Sequence, residues 1–106
     1  MTTPIPAAAV ELDATALAVL RRAARAGYAL IGPHDRICRL DISTPSRPQV
    51  VEIGHDEHDT VHALTVAGLL HLADTFPISD HGQTRRAHGL RLTCHGRRAL
   101  DTQERR

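Results

Sequence analysis

Lysine and aromatic residues are what this sequence of 106 residues most clearly lacks. All 13 of its basic residues are arginine, and Tyr28 and Phe76 are its only aromatic residues. The hydrophobic fraction of 42% is adequate for a folded core, but that core must be built from aliphatic side chains. A chain of this length is expected to form one small domain with a modest reserve of stability, and burial of surface in a homodimer would supplement it.

Cysteines and long apolar runs are also scarce. Cys38 and Cys94 are too few for a disulfide framework and lie in no Cys-x-x-Cys pair, so we expect two reduced thiols. Residues 1–10 have neither a basic start nor a long apolar run, which argues against a secretory signal peptide. No segment approaches the roughly 20 apolar residues that a membrane span needs. These features predict a soluble, cytoplasmic protein.

The formal net charge is only +1, but the charges are unevenly distributed along the chain. Residues 82–106 contain seven arginines and two acids, a formal charge of +5. Residues 41–60 contain five acids and one arginine, a formal charge of −4. The C-terminal quarter could therefore contact phosphate groups, whereas the middle of the chain would repel them.

The N-terminal part of the chain predicts an arm followed by a helix. Residues 1–10 contain two prolines and are expected to form a flexible arm in front of a single domain over residues 11–106. From Asp13 the apolar residues repeat with a helical period, and arginines occupy the opposite face. Asp13 suits the N-cap of this helix, and Gly27 suits its C-terminal stop.

The next segment predicts strands. Residues 28–42 contain two β-rich runs around a turn signal at residues 32–35, which predicts a hairpin. Residues 43–49 contain two prolines and are expected to form a loop. For the β-branched run at residues 50–53 we favour a strand over a turn of helix.

The second half of the chain predicts a helix, a second hairpin and a last helix. The helix covers residues 56–70, and the hairpin has strands at residues 69–76 and 90–93 joined by a loop. Thr93 suits the cap of the last helix. The predicted fold class is therefore α+β, with the order α, β-hairpin, α, β-hairpin, α.

Two short motifs in this second half form a recognisable pair. The first is a helix that exits through Gly-Leu-Leu, and the second is a strand that ends in Leu-Thr-x-x-Gly-Arg. The residues that carry them are Leu64, Ala67, Gly68, Leu69, Leu70, Leu92, Thr93, Gly96, Arg97, Ala99 and Leu100. Together they resemble the second half of bacterial winged-helix (winged helix-turn-helix) transcription regulators, over residues 58–100.

The resemblance implies a winged-helix protein that binds double-stranded DNA, either a transcriptional regulator or an accessory factor of a mobile element. It would act as a homodimer held by its terminal helices. The helix over residues 56–70 would enter or lie over the major groove, and the residues then placed to touch bases or phosphates are His55, His58, His62 and Thr65. The hairpin would be the wing, with basic residues along the DNA backbone: Arg85, Arg86, His88 and Arg91.

The first half of the chain departs from that family. Where a short helix normally precedes the recognition helix, this sequence predicts a hairpin, a proline-containing loop and the run at residues 50–53. This departure weakens the expectation of sequence-specific base contacts more than it weakens the expected fold.

Three histidines share one side of the helix at 100° per residue, which allows a metal site: His55, His58 and His62. His58 and His62 have the i, i+4 spacing of helical zinc ligands, with Asp59 where a zinc protease has a glutamate. No third ligand is obvious, although His55 or a distant histidine could supply one.

Two other interpretations of the same segment remain open. The histidines could contact nucleic acid, although three neighbouring carboxylates would weaken binding to phosphate: Asp56, Glu57 and Asp59. Alternatively the segment is structural, because acids in the first turn favour the positive end of the helix dipole and Asp56 suits a cap.

No arrangement of residues predicts an enzyme or a cofactor. The serines in loops lack a nucleophile-elbow pattern, and the chain has no glycine-rich phosphate loop. DNA binding is the leading hypothesis. The alternatives are a winged-helix protein-interaction module in a larger assembly, favoured by the acidic residues 52–59 and the near-zero net charge, and a metal-responsive regulator that uses the three histidines.

Overall fold

The computed structural model describes residues 12–32, 36–41 and 47–104, and within them the chain is a small α+β domain. The predicted arm, the tip of the first hairpin turn and most of the proline-containing loop lie outside these residues. The described helices are α1 (Ala14–Ala24), α2 (His55–Val66) and α3 (Cys94–Glu104). The described strands are β1 (Tyr28–Ile31), β2 (Arg36–Asp41), β3 (Gln49–Val51), β4 (Leu70–Asp80) and β5 (Gln83–Leu92). The longest of these helices has 12 residues, and none is long and apolar enough to cross a membrane.

Helix α1 begins as predicted and ends slightly differently. The Asp13 side chain accepts a hydrogen bond from the Ala16 N–H at 2.8 Å, which confirms the N-cap. The last turn closes when the Gly27 N–H donates to the Arg22 carbonyl at 3.0 Å. The residue in the left-handed region is Ala26, with φ of 59°, so the reversal comes one residue before the predicted stop.

The five described strands close into a barrel in the order β1-β2-β3-β4-β5. The two predicted hairpins, β1–β2 and β4–β5, are both present, and β1 also pairs with β5 through Ala29 and Gly89. Strand β3 pairs antiparallel with β2 and meets β4 in parallel where Gln49 lies opposite Ser79. The preference for a strand at residues 50–53 is thus confirmed, with the strand starting one residue earlier and ending at Val51.

The second hairpin is longer than the sequence predicts, and the expected loop between its strands at residues 77–89 is wrong. Strands β4 and β5 continue to a two-residue turn at His81 and Gly82, whose φ angles of 51° and 84° are those of a type I′ hairpin turn. The physical reason is burial, because Ile78 and Ala87, which fall in the expected loop, are 0% and 1% exposed inside the barrel. The hairpin therefore forms part of the barrel, where β5 pairs with β1 and Ile78 and Ala87 pack against residues of β1 and β2.

Two hydrophobic clusters lie on opposite faces of β1 and β2. The first packs the three helices against the sheet, with Val19, Leu20, Tyr28, Val61, Leu64, Leu69 and Leu90 among its members. The second fills the barrel and consists of Ala29, Ile31, Cys38, Leu40, Ile78 and Ala87, with Val50 and Phe76 packed at its side. Most of these side chains are aliphatic, as the composition predicts.

The two cysteines lie in opposite environments. Cys38 is fully buried in the barrel, and burial raises the pKa of its thiol to about 11, whereas Cys94 is exposed at the start of α3. Because the thiolate is the reactive species, we expect iodoacetamide at about pH 8 to modify Cys94 alone in the folded protein. Mass spectrometry should find one adduct in native conditions and two in urea. Rapid modification of both thiols in the native protein would contradict the burial of Cys38.

Candidate nucleic-acid interface

The exit of α2 and the start of α3 are in direct contact, and the residues that join them are those of the two sequence motifs. Helix α2 has Gly54 as its N-cap, not Asp56, and it ends at Val66, before the expected end at residue 70. Gly68 follows with a positive φ of 83°, which turns the chain out of the helix and into β4. The Thr93 hydroxyl donates to the Gly68 carbonyl at 2.6 Å and accepts from the Gly96 N–H at 3.0 Å, which confirms Thr93 as the cap of α3. Gly96 lies so close to the chain that a Cβ there would be 2.1 Å from the Leu69 carbonyl oxygen. These contacts hold α2, the β4–β5 hairpin and α3 together as one unit.

Helix α2 buries a narrow apolar stripe, and its histidines lie beside that stripe. Val61 and Leu64 are 0% and 2% exposed in the helical core. His55 and His62 are exposed, and His58, at the edge of the stripe, has 41% of its side chain exposed. The shared histidine side that the helical period predicts is therefore present.

The histidines of α2 do not converge on a metal site. Among the residues that the structure describes, no group of three or more His, Cys, Asp and Glu side chains is placed to hold a metal ion. The Nδ1 atom of His58 lies 3.5 Å from a carboxylate oxygen of its neighbour Asp59. The i, i+4 spacing of His58 and His62 thus lacks a third ligand in the described part of the chain.

Two of the residues expected to contact DNA make hydrogen bonds within the domain. The hydroxyl of Thr65 donates to the Val61 carbonyl at 2.8 Å, within its own helix. The Nδ1 atom of His88 lies 3.0 Å from the Ala73 carbonyl across the hairpin. Both residues are partly buried, so neither presents all of its polar atoms to solvent.

One acid of the acidic segment is turned into the protein. The Tyr28 hydroxyl donates to Glu57 Oε2 at 2.6 Å, and Arg39 Nε and Nη2 donate to the two oxygens of the same carboxylate at 2.7 and 2.8 Å. Burial raises the pKa of Glu57, but the hydrogen bonds from Arg39 and Tyr28 outweigh it and hold the pKa below its usual value. Burial, helped by the Glu57 carboxylate, raises the pKa of Tyr28 above its ordinary range. Glu57 therefore ties α2 to β1 and β2.

That contact reduces the negative charge on the exposed face of α2. Of the three acids expected to oppose phosphate, Glu57 is neutralised by Arg39, and only Asp56 and Asp59 are exposed. The exposed side of the helix still carries two carboxylates, so it is poorly suited to lie against a DNA backbone.

A second ionic cluster closes one end of the barrel. Asp80 is 5% exposed and accepts two hydrogen bonds from Arg36, both at 3.1 Å, while Arg85 Nε lies 3.0 Å from one of its oxygens. The hydrogen bonds from Arg36 hold the pKa of Asp80 below its usual value. Glu52 and His81 lie at 3.6 to 3.7 Å at the edge of the cluster. The guanidinium of Arg85 is thus paired with a carboxylate of the domain itself.

The strand alternation separates the basic residues of the hairpin into two sets. Arg85 and Arg91 lie on the same side of β5 as Ala87, the side that faces the barrel. Arg86 and His88 lie on the opposite, outer side. The four residues that the sequence groups as a wing surface do not share one face.

Two arginines are bonded to threonines on the outer side of the hairpin. Arg86 donates to the Thr75 hydroxyl and carbonyl at 3.1 to 3.3 Å, and Arg47 Nη1 donates to the Thr84 hydroxyl at 2.6 Å. We call the surface formed by Arg47, Thr75, Thr84 and Arg86 the outer arginine face. In the described part of the chain neither arginine forms an ion pair with a carboxylate, so both charges are uncompensated within it.

Arg47 could not be recognised from the sequence. It is the lone arginine of an acidic segment, and it reaches a hairpin residue 37 positions away. A tertiary contact places Arg47 beside the hairpin. The Ser79 N–H donates to the Pro48 carbonyl at 2.8 Å, and this hydrogen bond holds the segment next to β4.

The outer arginine face has the chemistry of a phosphate-binding surface. Guanidinium groups donate paired hydrogen bonds to phosphate oxygens, and their hydroxyl and carbonyl partners hold them in place without cancelling their charge. Comparisons with models of known protein families, with curated proteins and with solved structures find no match to this chain.

Proposed function

We propose that the protein binds double-stranded DNA by placing the outer arginine face on the sugar-phosphate backbone. The observation that carries this proposal is the pair of uncompensated arginines, Arg47 and Arg86, on one side of the β4–β5 hairpin. Thr84 and Arg86 are two residues apart on the same side of β5, so their Cα atoms are separated by about 7 Å. Phosphate contacts of this kind supply affinity and orientation but no direct readout of sequence.

The order of elements supports a winged-helix type of binding protein. On this proposal helix α2, the β4–β5 hairpin and α3 take the roles of recognition helix, wing and closing helix, and contacts of Thr93 and Gly96 hold the three together. On this proposal the protein is a transcriptional regulator or a mobile-element accessory factor that acts as a homodimer. The hairpin supplies affinity for the backbone, and the exposed His55 and His62 are the groups of α2 available to bases.

The comparison of two neighbouring arginines tests the proposal. Arg86→Gln removes an uncompensated charge and should weaken binding to a labelled duplex of about 20 base pairs roughly tenfold at about 50 mM salt, uniformly across DNA sequences. Arg85→Gln should leave the affinity unchanged, because Arg85 is already paired with Asp80. Fluorescence anisotropy measures both, and circular dichroism checks that both variants are folded.

Two results would overturn the proposal that the outer arginine face binds DNA. The first is the absence of binding by the wild-type protein at this low salt concentration. The second is an equal loss of affinity in the folded Arg85→Gln and Arg86→Gln variants, which would show that the face of the hairpin does not matter.

Exposed apolar side chains favour a second candidate function, the docking of a protein partner. Val66 at the end of α2 is 75% exposed and Leu72 in β4 is 47% exposed. They flank the exit of the helix whose other exposed residues include Asp56 and Asp59. Val66→Asp should abolish capture of a partner from nuclease-treated lysate, and sedimentation of the pure protein would show whether that partner is a second copy of the chain.

A further inference from the structure

A cleft lies between the C-terminal half of α1 and the sheet, away from the outer arginine face. Its volume is about 410 Å³, and it is lined by Ala18, Arg21, Arg22, Arg25, Gly27 and Leu40. We propose that this arginine cleft binds the phosphate group of a small organic phosphate. Its volume falls within the roughly 300–1,000 Å³ of small-molecule sites.

The guanidinium groups of the cleft come from one side of α1. Arg21, Arg22 and Arg25 occupy positions i, i+1 and i+4 of the helix and its C-cap. The side chain of Arg22 lies directly over Gly27, where a Cβ would come within 2.5 Å of the Arg22 Cγ. The absence of a side chain at Gly27 therefore gives Arg22 its place in the cleft. Because this contact already restricts the arginine, less conformational entropy is lost when a ligand binds.

Positive charge in the cleft exceeds the negative charge around it. Arg21 pairs with Glu104 at 3.1 Å, and both side chains are about half exposed. Arg22 and Arg25 form no ion pair with any residue that the structure describes. The two guanidinium charges of Arg22 and Arg25 are thus available to an anion.

One carboxylate on the sheet side, that of Glu57, lies near the cleft and is held mainly by groups other than the cleft arginines. A smaller cavity of about 300 Å³ adjoins the cleft through Ala18 and Arg22, and Glu57 lies in its wall. That carboxylate accepts hydrogen bonds from Arg39 and Tyr28, and the charge of Arg22 makes a smaller contribution to its lowered pKa.

The chemistry of the walls narrows the class of ligand. Arginine side chains bind phosphate oxygens in pairs through their planar fork of donors. Ala18 and Leu40 provide apolar surface beside them, which suits the carbon part of a phosphate ester better than a free inorganic ion. The helix dipole alone would favour arginines near the C-terminal end of α1. It does not explain why these arginines line a cleft.

The proposal is tested by titration calorimetry of the full chain with AMP at low salt. We expect saturable binding, and a loss of affinity of at least about tenfold in the Arg22→Gln/Arg25→Gln variant, since two charge-assisted contacts are removed. Arg97→Gln/Arg98→Gln is the matched control, because it removes two exposed arginines from α3 and should bind AMP as the wild type does. If the double variant fails to fold, Arg25→Gln alone gives the test, since Arg25 is exposed and unpaired in the described part of the chain.

The same variants separate this site from the DNA-binding surface. Arg47→Gln/Arg86→Gln should lose affinity for the duplex and keep its affinity for AMP, which supports two independent sites. No saturable AMP binding, or equal loss of it in the α3 control, would overturn the proposal. Loss of duplex binding in the Arg22→Gln/Arg25→Gln variant, without AMP binding by the wild type, would also overturn it by assigning the cleft to the DNA backbone.

Discussion

Replacement of Gly96 by alanine is expected to lower the free energy of unfolding by about 3 kcal/mol, at the upper end of the cost of overpacking a buried site. The new Cβ would lie 2.1 Å from the Leu69 carbonyl oxygen and 3.0 Å from its carbon, which are backbone atoms. They cannot move away freely, because the Leu69 carbonyl accepts the Thr93 N–H at 3.0 Å and the preceding Gly68 carbonyl accepts the Thr93 hydroxyl. Relief of the clash must separate α3 from the exit of α2.

Urea unfolding followed by far-ultraviolet circular dichroism measures this effect. Gly54→Ala is the matched control, because a Cβ at Gly54 would meet nothing within 4 Å. Gly54 is the N-cap of α2, so its replacement should cost less than about 1 kcal/mol. If the unfolding midpoint of Gly96→Ala equals that of Gly54→Ala, the close contact between the two motifs is wrong.

Replacement of Glu57 by glutamine is expected to lower the free energy of unfolding by about 2 kcal/mol near neutral pH. The change removes the charge that Arg39 contacts through two hydrogen bonds and places an amide nitrogen near donors. The expected loss is smaller than for a fully buried pair, because the Arg39 side chain is 40% exposed and solvent screens part of the interaction. Asp59→Asn, on the exposed side of the same helix, should change stability by less than about 0.5 kcal/mol.

The Glu57 contribution should depend on pH in one direction. Its pKa is lower in the folded protein than its usual value of 4.5, so folding favours the ionised form. The stabilisation is therefore fully present above that usual value and is lost as the pH falls through the lowered pKa. Urea midpoints of the wild type and Glu57→Gln should converge on acidification. A difference that stays constant down to the lowest pH at which the proteins fold would show that the charge of Glu57 is not responsible.

Local patterns in the sequence predict the elements of this fold well where the determining contacts are also local. Asp13 and Thr93 are recognisable caps, because a cap bonds to an N–H only three residues away. The helical period likewise predicts that the histidines of α2 share one side of the helix, next to the face that carries Val61 and Leu64. These features need no knowledge of the rest of the chain.

The length of the second hairpin illustrates what local patterns miss. Ile78 and Ala87 stand among polar and basic residues, so their segment resembles a loop in composition. They are buried because they pack against residues of β1 and β2 inside the barrel. The barrel closes through the pairing of β1 with β5, which are far apart in sequence. The His81–Gly82 pair was the one local signal for a tight turn, since glycine readily adopts the positive φ that such a turn needs.

The candidate site is less predictable than the fold for the same reason. Arg85 and Arg86 are neighbours of equal charge in the sequence, yet only Arg85 meets a buried carboxylate, because adjacent strand residues point to opposite faces. The role of Glu57 depends on Tyr28 and Arg39, which are 29 and 18 positions away. Ion pairs between residues far apart in sequence therefore determine which charges a partner can contact.

The salt dependence of DNA binding is the measurement that decides between phosphate contact by the outer arginine face and any other surface. For each phosphate contact removed, the slope of log K against log salt concentration should fall by about 0.9. Arg47→Gln/Arg86→Gln should therefore bind with a slope smaller by about 1.8 than the wild type, while Arg97→Gln/Arg98→Gln keeps the wild-type slope. An unchanged slope in the folded Arg47→Gln/Arg86→Gln variant would show that these two arginines do not contact DNA.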